Sequence, residues 1–330
     1  MDKQPPPFCI QIELTEGCNL ACSFCGIAAI RDNGANGPEN IRGKNSSPYK
    51  FLTLNLTTFI AKELIKVKEK YKWNPRIEMA MHGEPTMNPE YKQIVEIFRK
   101  YLPTTHLQMT TNGSGLLRGD LTLNIDSLMD CGLNVLLLDN YEGINICDKV
   151  EEGYLGNHPI LKYPKDKKAN PHRRRRSIDH DIVITQDIVV ASKGNHATLN
   201  NHAGSSFPKN NRAEGKRCAK VFREMSIRWD GNVAICCNDW PGFYRCGHVS
   251  EGFEKLWQNK MFRAARKKLY HGERNFGPCN GCDALSYRPG LLPDLKGQKE
   301  YERANEHDNR IIEYALKEGP YSTAIPRPWE

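Results

Sequence analysis

The chain has 330 residues, 39% of them hydrophobic, and a formal net charge of +8. That length allows one large domain plus a smaller one. No stretch approaches the roughly 18 consecutive apolar residues of a membrane span. Met1 to Pro7 is polar and proline-rich, without the apolar core of a signal peptide, so a cytosolic location is expected.

Phe8, Ile10, Ile12 and Leu14 alternate with Cys9, Gln11 and Glu13, a strand pattern that runs directly into a cysteine cluster. Residues 27–50 read as a long loop rich in Gly, Asn, Ser and Pro. A helix is expected over 57–71, with Ile60, Leu64, Val67 and Tyr71 on one face, then a strand over 76–81. Asn88-Pro89-Glu90 has the cap, first-turn proline and acid of a helix start. A strand near 105–110, a helix near 121–131 and a buried strand at 133–138 follow. This β-α-β-α-β-α-β order implies a parallel sheet or barrel with outer helices. Further on, His158 to Tyr163 and Ile182 to Val190 can form strands, and 192–217 reads as a linker. Phe222 to Trp229 and Asn232 to Cys237 flank Asp230-Gly231, a hairpin signal. A single helix is expected over 252–269, and a polar helix in the tail beyond 293.

Nine of the twelve cysteines fall into two groups, three over 18–25 and six over 218–282. In a chain without an export signal, such clustering favours metal or redox chemistry over disulfides. Cys18, Cys22 and Cys25 lie on one short loop after the first strand. A 4Fe–4S cube normally takes four cysteine ligands, so three leave one iron open. Cys9, Cys131 and Cys147 stand apart and read as small buried hydrophobes.

Cys-Asn-Leu-Ala-Cys-Ser-Phe-Cys at 18–25 resembles the cluster loop of the radical S-adenosylmethionine superfamily. The resemblance implies an α/β fold, a partial (β/α)6 TIM-like barrel. It also implies a 4Fe–4S cluster on Cys18, Cys22 and Cys25 whose open iron binds the amino and carboxylate groups of S-adenosylmethionine. Reductive cleavage then yields a 5′-deoxyadenosyl radical that takes a hydrogen atom from the substrate. An electron donor of flavodoxin or ferredoxin type is implied. Phe24 matches the aromatic position near the adenine. His82-Gly83-Glu84-Pro85 resembles the family's Gly-Gly-Glu-Pro, which holds the ammonium group; His82 replaces the first glycine. Asn112, after the next strand, and Asp139, where relatives often contact the ribose, are the other expected cofactor contacts. All lie at C-terminal strand ends, where barrels of this type place their chemistry.

Cys218, Gly231, Cys236 and Cys279-x-x-Cys282 resemble the SPASM and twitch domains appended to some members of that superfamily. With no cysteine after Cys282, the match is to the shorter twitch form, a β-hairpin plus helix with one auxiliary 4Fe–4S cluster. Cys218, Cys236, Cys279 and Cys282 are then its ligands, Cys246 is a reserve and Cys237 is spare. A four-cysteine zinc site in an interaction protein is the alternative. The expected organisation is a barrel over 1–191, a linker over 192–215, a twitch domain over 216–290 and a tail over 291–330.

Residues 162–176 carry Lys162, Lys165, Lys167, Lys168 and Arg173 to Arg176 against Asp166 alone. A basic Lys165–Arg176 segment can contact the phosphates of DNA or a nucleotide. Phage-encoded radical S-adenosylmethionine proteins of this size resemble the chain and rearrange amino-acid-decorated thymines in DNA, which makes such a base the first expectation for the substrate. Dehydrogenation of an aminocyclitol or sugar alcohol is the second, and peptide maturation the third.

Overall fold

The computed structural model describes residues 4–20, 22, 24–27, 49–141, 144–163, 180–185, 201–206, 213–240, 242 and 244–284. The Lys165–Arg176 segment, most of the 27–50 loop and the tail helix lie outside them. Eleven strands are assigned among the described residues: β1 (Cys9–Ile12), β2 (Thr15–Glu16), β3 (Lys50–Phe51), β4 (Arg76–Met79), β5 (His106–Thr111), β6 (Val135–Leu138), β7 (Ile160–Tyr163), β8 (Asp181–Thr185), β9 (Glu224–Ile227), β10 (Asn232–Ala234) and β11 (Arg245–His248).

Nine of them form one sheet in the order β11-β10-β9-β1-β4-β5-β6-β8-β7. From β1 to β7 every pairing is parallel, which gives the six strands of a partial (β/α)6 barrel. β9 joins the other side of β1, also parallel, and β10 and β11 continue antiparallel. The hairpin that carries Cys236 is therefore an extension of the barrel sheet. β8 lies between β6 and β7, so the last two barrel strands are not in chain order.

The alternation read in the sequence sorts the two faces of the sheet. Ile10, Ile12, Ile77, Met79, Leu107, Met109, Leu136, Ile182 and Met225 pack in one core. The helix stripes of Ile60, Leu64, Ile94, Phe98, Ile125 and Leu128 complete it. The opposite face is polar across four adjacent strands. Ser226, Gln11, Glu78 and Gln108 stand side by side in register, all buried. One step towards the strand starts come Glu224, Cys9, Arg76 and His106. Cys9, expected as a plain hydrophobe, instead lies within 3.5 Å of Glu78 Oε2. Burial pushes its thiol up to about 12.

The first long helix, Leu54–Tyr71, begins where Thr53 accepts from Leu56 N at 3.3 Å. The second spans Tyr91–Tyr101 and the third Leu121–Asp130. The single helix expected over 252–269 is two, Phe253–Trp257 and Lys260–Tyr270. Asn259 breaks it by accepting from Met261 N and Phe262 N at 3.0 Å, as a helix cap does. Buried Arg266 then ties the second piece back, donating to the carbonyls of Val221 and Trp257. The sequence reading also missed β11 and the helix Ile146–Gly153.

Candidate functional site

The chain leaves β1 through Glu13 and reaches Cys18 beside the turn that follows β4. Gly17 and Gly83 form a parallel bridge, and Glu84 N donates to Gly17 O at 3.0 Å. A Cβ on Gly83 would stand 2.3 Å from both Gly17 O and Thr15 O. Only glycine admits this approach. The His82-Gly83-Glu84-Pro85 turn and the first cysteine loop are thus stitched together through backbone.

Glu84 is buried, and its carboxylate gathers the neighbouring turn. Oε1 accepts from Thr86 N at 2.9 Å and from the hydroxyls of Thr86 and Thr111. Oε2 accepts from Asn112 N at 2.8 Å. Burial raises its pKa, opposed by these donors. The Asn112 side chain reaches Cys18 Sγ at 3.6 Å and Asn19 Oδ1 at 3.2 Å. Phe24 is buried, with its ring 6.2 Å from that of Tyr141 in a stacked arrangement. Tyr141 follows β6 two residues after Asp139, whose Oδ2 accepts from Thr185 Oγ1 at 3.0 Å. Sequence reasoning missed Tyr141; a tyrosine just past the end of a barrel strand was the available signal.

Cys18 and Cys25 pack against the Ile27–Trp240 pair, and Cys22 is buried. Leu20 N donates to Cys18 Sγ at 3.4 Å.

The second set is assembled from separate stretches. Cys218 precedes the short helix Lys220–Arg223, Cys236 follows β10, and Cys279 and Cys282 flank a 3-10 turn. Burial pushes the Cys236 thiol up, reinforced by the thiols of Cys237, Cys279 and Cys282. Burial does the same to Cys279, with Cys218 and Cys282 adding to it. A thiol whose pKa is raised in this way, as for Cys236 and Cys279, stays protonated unless a metal centre stabilises its thiolate. Backbone donors already face two sulfurs, Asn238 N on Cys236 Sγ at 3.4 Å and Ala284 N on Cys282 Sγ at 3.3 Å. N–H donors of this kind tune iron–sulfur centres. Cys237 Sγ accepts from Lys220 Nζ at 3.4 Å, and Cys246 packs in the hydrophobic core. Among the described residues no three His, Cys, Asp or Glu side chains converge on a single ion. A cube takes one thiolate per iron around a larger core.

Residues 12–139 match the family model "Radical SAM superfamily", and residues 218–283 match SPASM, an iron–sulfur cluster-binding domain. The chain carries a radical S-adenosylmethionine domain and a SPASM-type region. Its barrel domain implies a 4Fe–4S cluster and S-adenosylmethionine, and its SPASM-type region implies an auxiliary iron–sulfur cluster. The buried thiols and sulfur-directed donors fit those groups. The fold is similar to that in a crystal structure of BtrN in complex with AdoMet and 2-DOIA. That structure is 17% identical with a TM-score of 0.62, over 87% of this chain and 98% of that one. An open conformation of BtrN, also 17% identical, has a TM-score of 0.56 over 90% and 100%. No curated protein matches the chain in sequence. No described helix is long and apolar enough to cross a membrane.

Proposed function

We propose that this radical S-adenosylmethionine enzyme oxidises a small, hydroxyl-rich substrate at a carbon held against the polar face of the barrel. Cys18, Cys22 and Cys25 hold the first cluster, and Cys218, Cys236, Cys279 and Cys282 hold the auxiliary one. When bound, the reduced first cluster and S-adenosylmethionine supply a radical that removes a hydrogen atom from carbon, and the auxiliary cluster supplies one-electron exchange.

The residues around the cofactor have separate tasks. The backbone of Gly83 offers the close approach that an ammonium group needs. Glu84 holds that turn against Thr111 and Asn112, and Asn112 reaches from there to Cys18. Phe24 and Tyr141 give an aromatic wall for the adenine, and Asp139 stands at the end of the neighbouring strand for the ribose. These assignments divide the chain into a barrel over 1–191, a linker over 192–215, a cluster domain over 216–290 and a tail over 291–330.

The observation that carries the substrate class is the row Ser226, Gln11, Glu78 and Gln108. Closed barrels fill their interior with branched aliphatic side chains, whereas this row presents amides, a hydroxyl and a carboxylate. Ser226 Oγ donates to Gln11 Oε1 at 3.0 Å, and Gln108 Oε1 has no hydrogen-bond partner among the described residues. Hydroxyl groups of a substrate satisfy such a surface. BtrN, whose fold this chain resembles, was crystallised with AdoMet and 2-DOIA.

The basic Lys165–Arg176 segment favours a second reading, a modified thymine in DNA. Salt-dependent binding separates the two. If the substrate is DNA, replacing Arg173 to Arg176 with alanine weakens duplex binding and flattens its salt dependence. If it is a small polyol, Gln108→Leu raises KM for the polyol and the arginine variants leave turnover unchanged. Failure of aminocyclitols and sugar alcohols to yield an oxidised product and 5′-deoxyadenosine refutes the first reading.

A further inference from the structure

His82 occupies the place of the first glycine in the motif it resembles, and its side chain does what no glycine can. The ring is fully buried. Nδ1 meets Glu13 Oε1 at 2.8 Å and Nε2 meets the carbonyl oxygen of Cys237 at 2.8 Å. The carbonyl can only accept, so Nε2 donates to it, while Nδ1 faces the Glu13 carboxyl group. Burial alone would push the Glu13 carboxyl up, but His82 and Arg228 outweigh it and hold the group below the usual carboxylate range. Glu13 therefore faces His82 as a carboxylate.

The Cys237 carbonyl belongs to a planar peptide unit whose other end is the N–H of Asn238. That N–H donates to Cys236 Sγ at 3.4 Å. A donor on the carbonyl polarises the unit and strengthens its N–H as a donor. The chain Glu13, His82, Cys237 carbonyl, Asn238 N–H, Cys236 sulfur is thus continuous. It starts at the end of β1, crosses the turn that contains Gly83 and Glu84, and ends on a thiol of the second cysteine set.

Trp240 braces this path. Its ring centroid is 4.8 Å from that of His82, and Nε1 donates to His202 Nδ1 at 3.1 Å. Its indole also lies against Gly26, where an added Cβ would come within 2.8 Å. Arg228 donates to the carbonyls of Asp239 and Trp240 at 3.3 and 3.2 Å and pairs with Glu16. The hairpin turn 236–240 is consequently pinned to both segments that surround Cys18.

We infer that His82 is a positioning residue that tunes the auxiliary cluster through the Cys237–Asn238 peptide, so that S-adenosylmethionine binding at the neighbouring turn changes the auxiliary potential. The inference rests on the cluster assignments proposed above. N–H bonds to ligand sulfur help set an iron–sulfur potential, and donors to the thiolate raise it. A cofactor held by the 82–84 turn acts on the same imidazole that polarises the peptide. Linkage makes the effect reciprocal: the auxiliary oxidation state changes S-adenosylmethionine affinity by the same factor. For a one-electron couple, a tenfold factor corresponds to about 59 mV.

The test is a redox titration of the fully loaded enzyme, following the auxiliary cluster by electron paramagnetic resonance with and without S-adenosylmethionine. In the wild type, the cofactor shifts the auxiliary potential on the order of 59 mV, the equivalent of a tenfold factor. His82→Gly lowers the potential without cofactor and abolishes the shift, at unchanged iron content. Glu13→Gln keeps an oxygen acceptor and the side-chain volume but removes the charge. It lowers the potential by less, and it decides the matter if His82→Gly fails to hold its iron. A wild-type potential indifferent to the cofactor, or a shift that survives in Glu13→Gln and in iron-loaded His82→Gly, overturns the inference. An enzyme that takes up only one four-iron cluster refutes the assignments beneath it instead.

Discussion

The two cysteine sets solve the same problem in opposite ways. Cys18, Cys22 and Cys25 lie on one short loop, joined to the rest of the barrel through the Gly17–Gly83 bridge and Asn112. Cys218, Cys236, Cys279 and Cys282 come from a helix start, a strand end and a 3-10 turn. A local loop closes at low entropic cost and can leave one coordination position open. A set drawn from distant stretches closes long loops, so its metal also cross-links the fold. On the proposed assignments, the first set serves reactivity and the second both structure and electron exchange.

That contrast can be broken most sharply by emptying each site in turn. Replacing Cys18, Cys22 and Cys25 with alanine abolishes S-adenosylmethionine cleavage, leaves about four irons bound and barely moves the melting temperature. Replacing Cys279 and Cys282 with alanine removes the other four irons. It also destabilises the C-terminal region by about 4 kcal/mol, the scale expected for opening the loop from Cys218 to Cys279. Equal loss of stability in the two variants would erase the distinction.

Gly83→Ala probes the seam between the sites. The added methyl collides with Gly17 O and Thr15 O, and relief by backbone movement costs about 1–3 kcal/mol. The expected result is weaker S-adenosylmethionine binding with both clusters retained, measured by equilibrium binding beside an iron assay.

A smaller effect separates two buried acids by pH. Glu13 has a lowered pKa in the fold, so its contribution to stability is present above about pH 4.3 and is lost as pH falls through the folded value. Glu84 has a raised pKa from burial, so it opposes: stability declines as pH rises from about 4.3 through its folded value. Glu13→Gln therefore flattens the acid limb of a denaturation profile, and Glu84→Gln flattens the decline above it. Smallest of all, Thr53→Ala removes the cap of the first long helix and costs about 1 kcal/mol, without touching either cysteine set.

What the sequence made legible follows the same division. The first loop and the parallel barrel are local in sequence, written as cysteine spacing, alternation and helix stripes. Even the His82 substitution was visible as a departure from Gly-Gly-Glu-Pro. Its consequence was not, because Glu13 and Cys237 are 69 and 155 positions away. The same holds for Trp240 and Arg228, which act across strand pairings that no local pattern encodes. The order β6-β8-β7 is equally hidden, since hydrophobic runs identify strands but not their neighbours. Asn259 illustrates the remaining miss: an apolar stripe continued across a residue whose side chain caps the next helix.

On the proposed assignments this chain holds two iron–sulfur clusters of different kinds, one open and one closed. The most direct test is Mössbauer spectroscopy of anaerobically reconstituted enzyme with and without S-adenosylmethionine. About eight irons per chain are expected, with one site in eight perturbed by the cofactor and reductive cleavage to 5′-deoxyadenosine under dithionite. Stoichiometric zinc in place of iron, or eight irons of which none responds to the cofactor, would contradict those assignments.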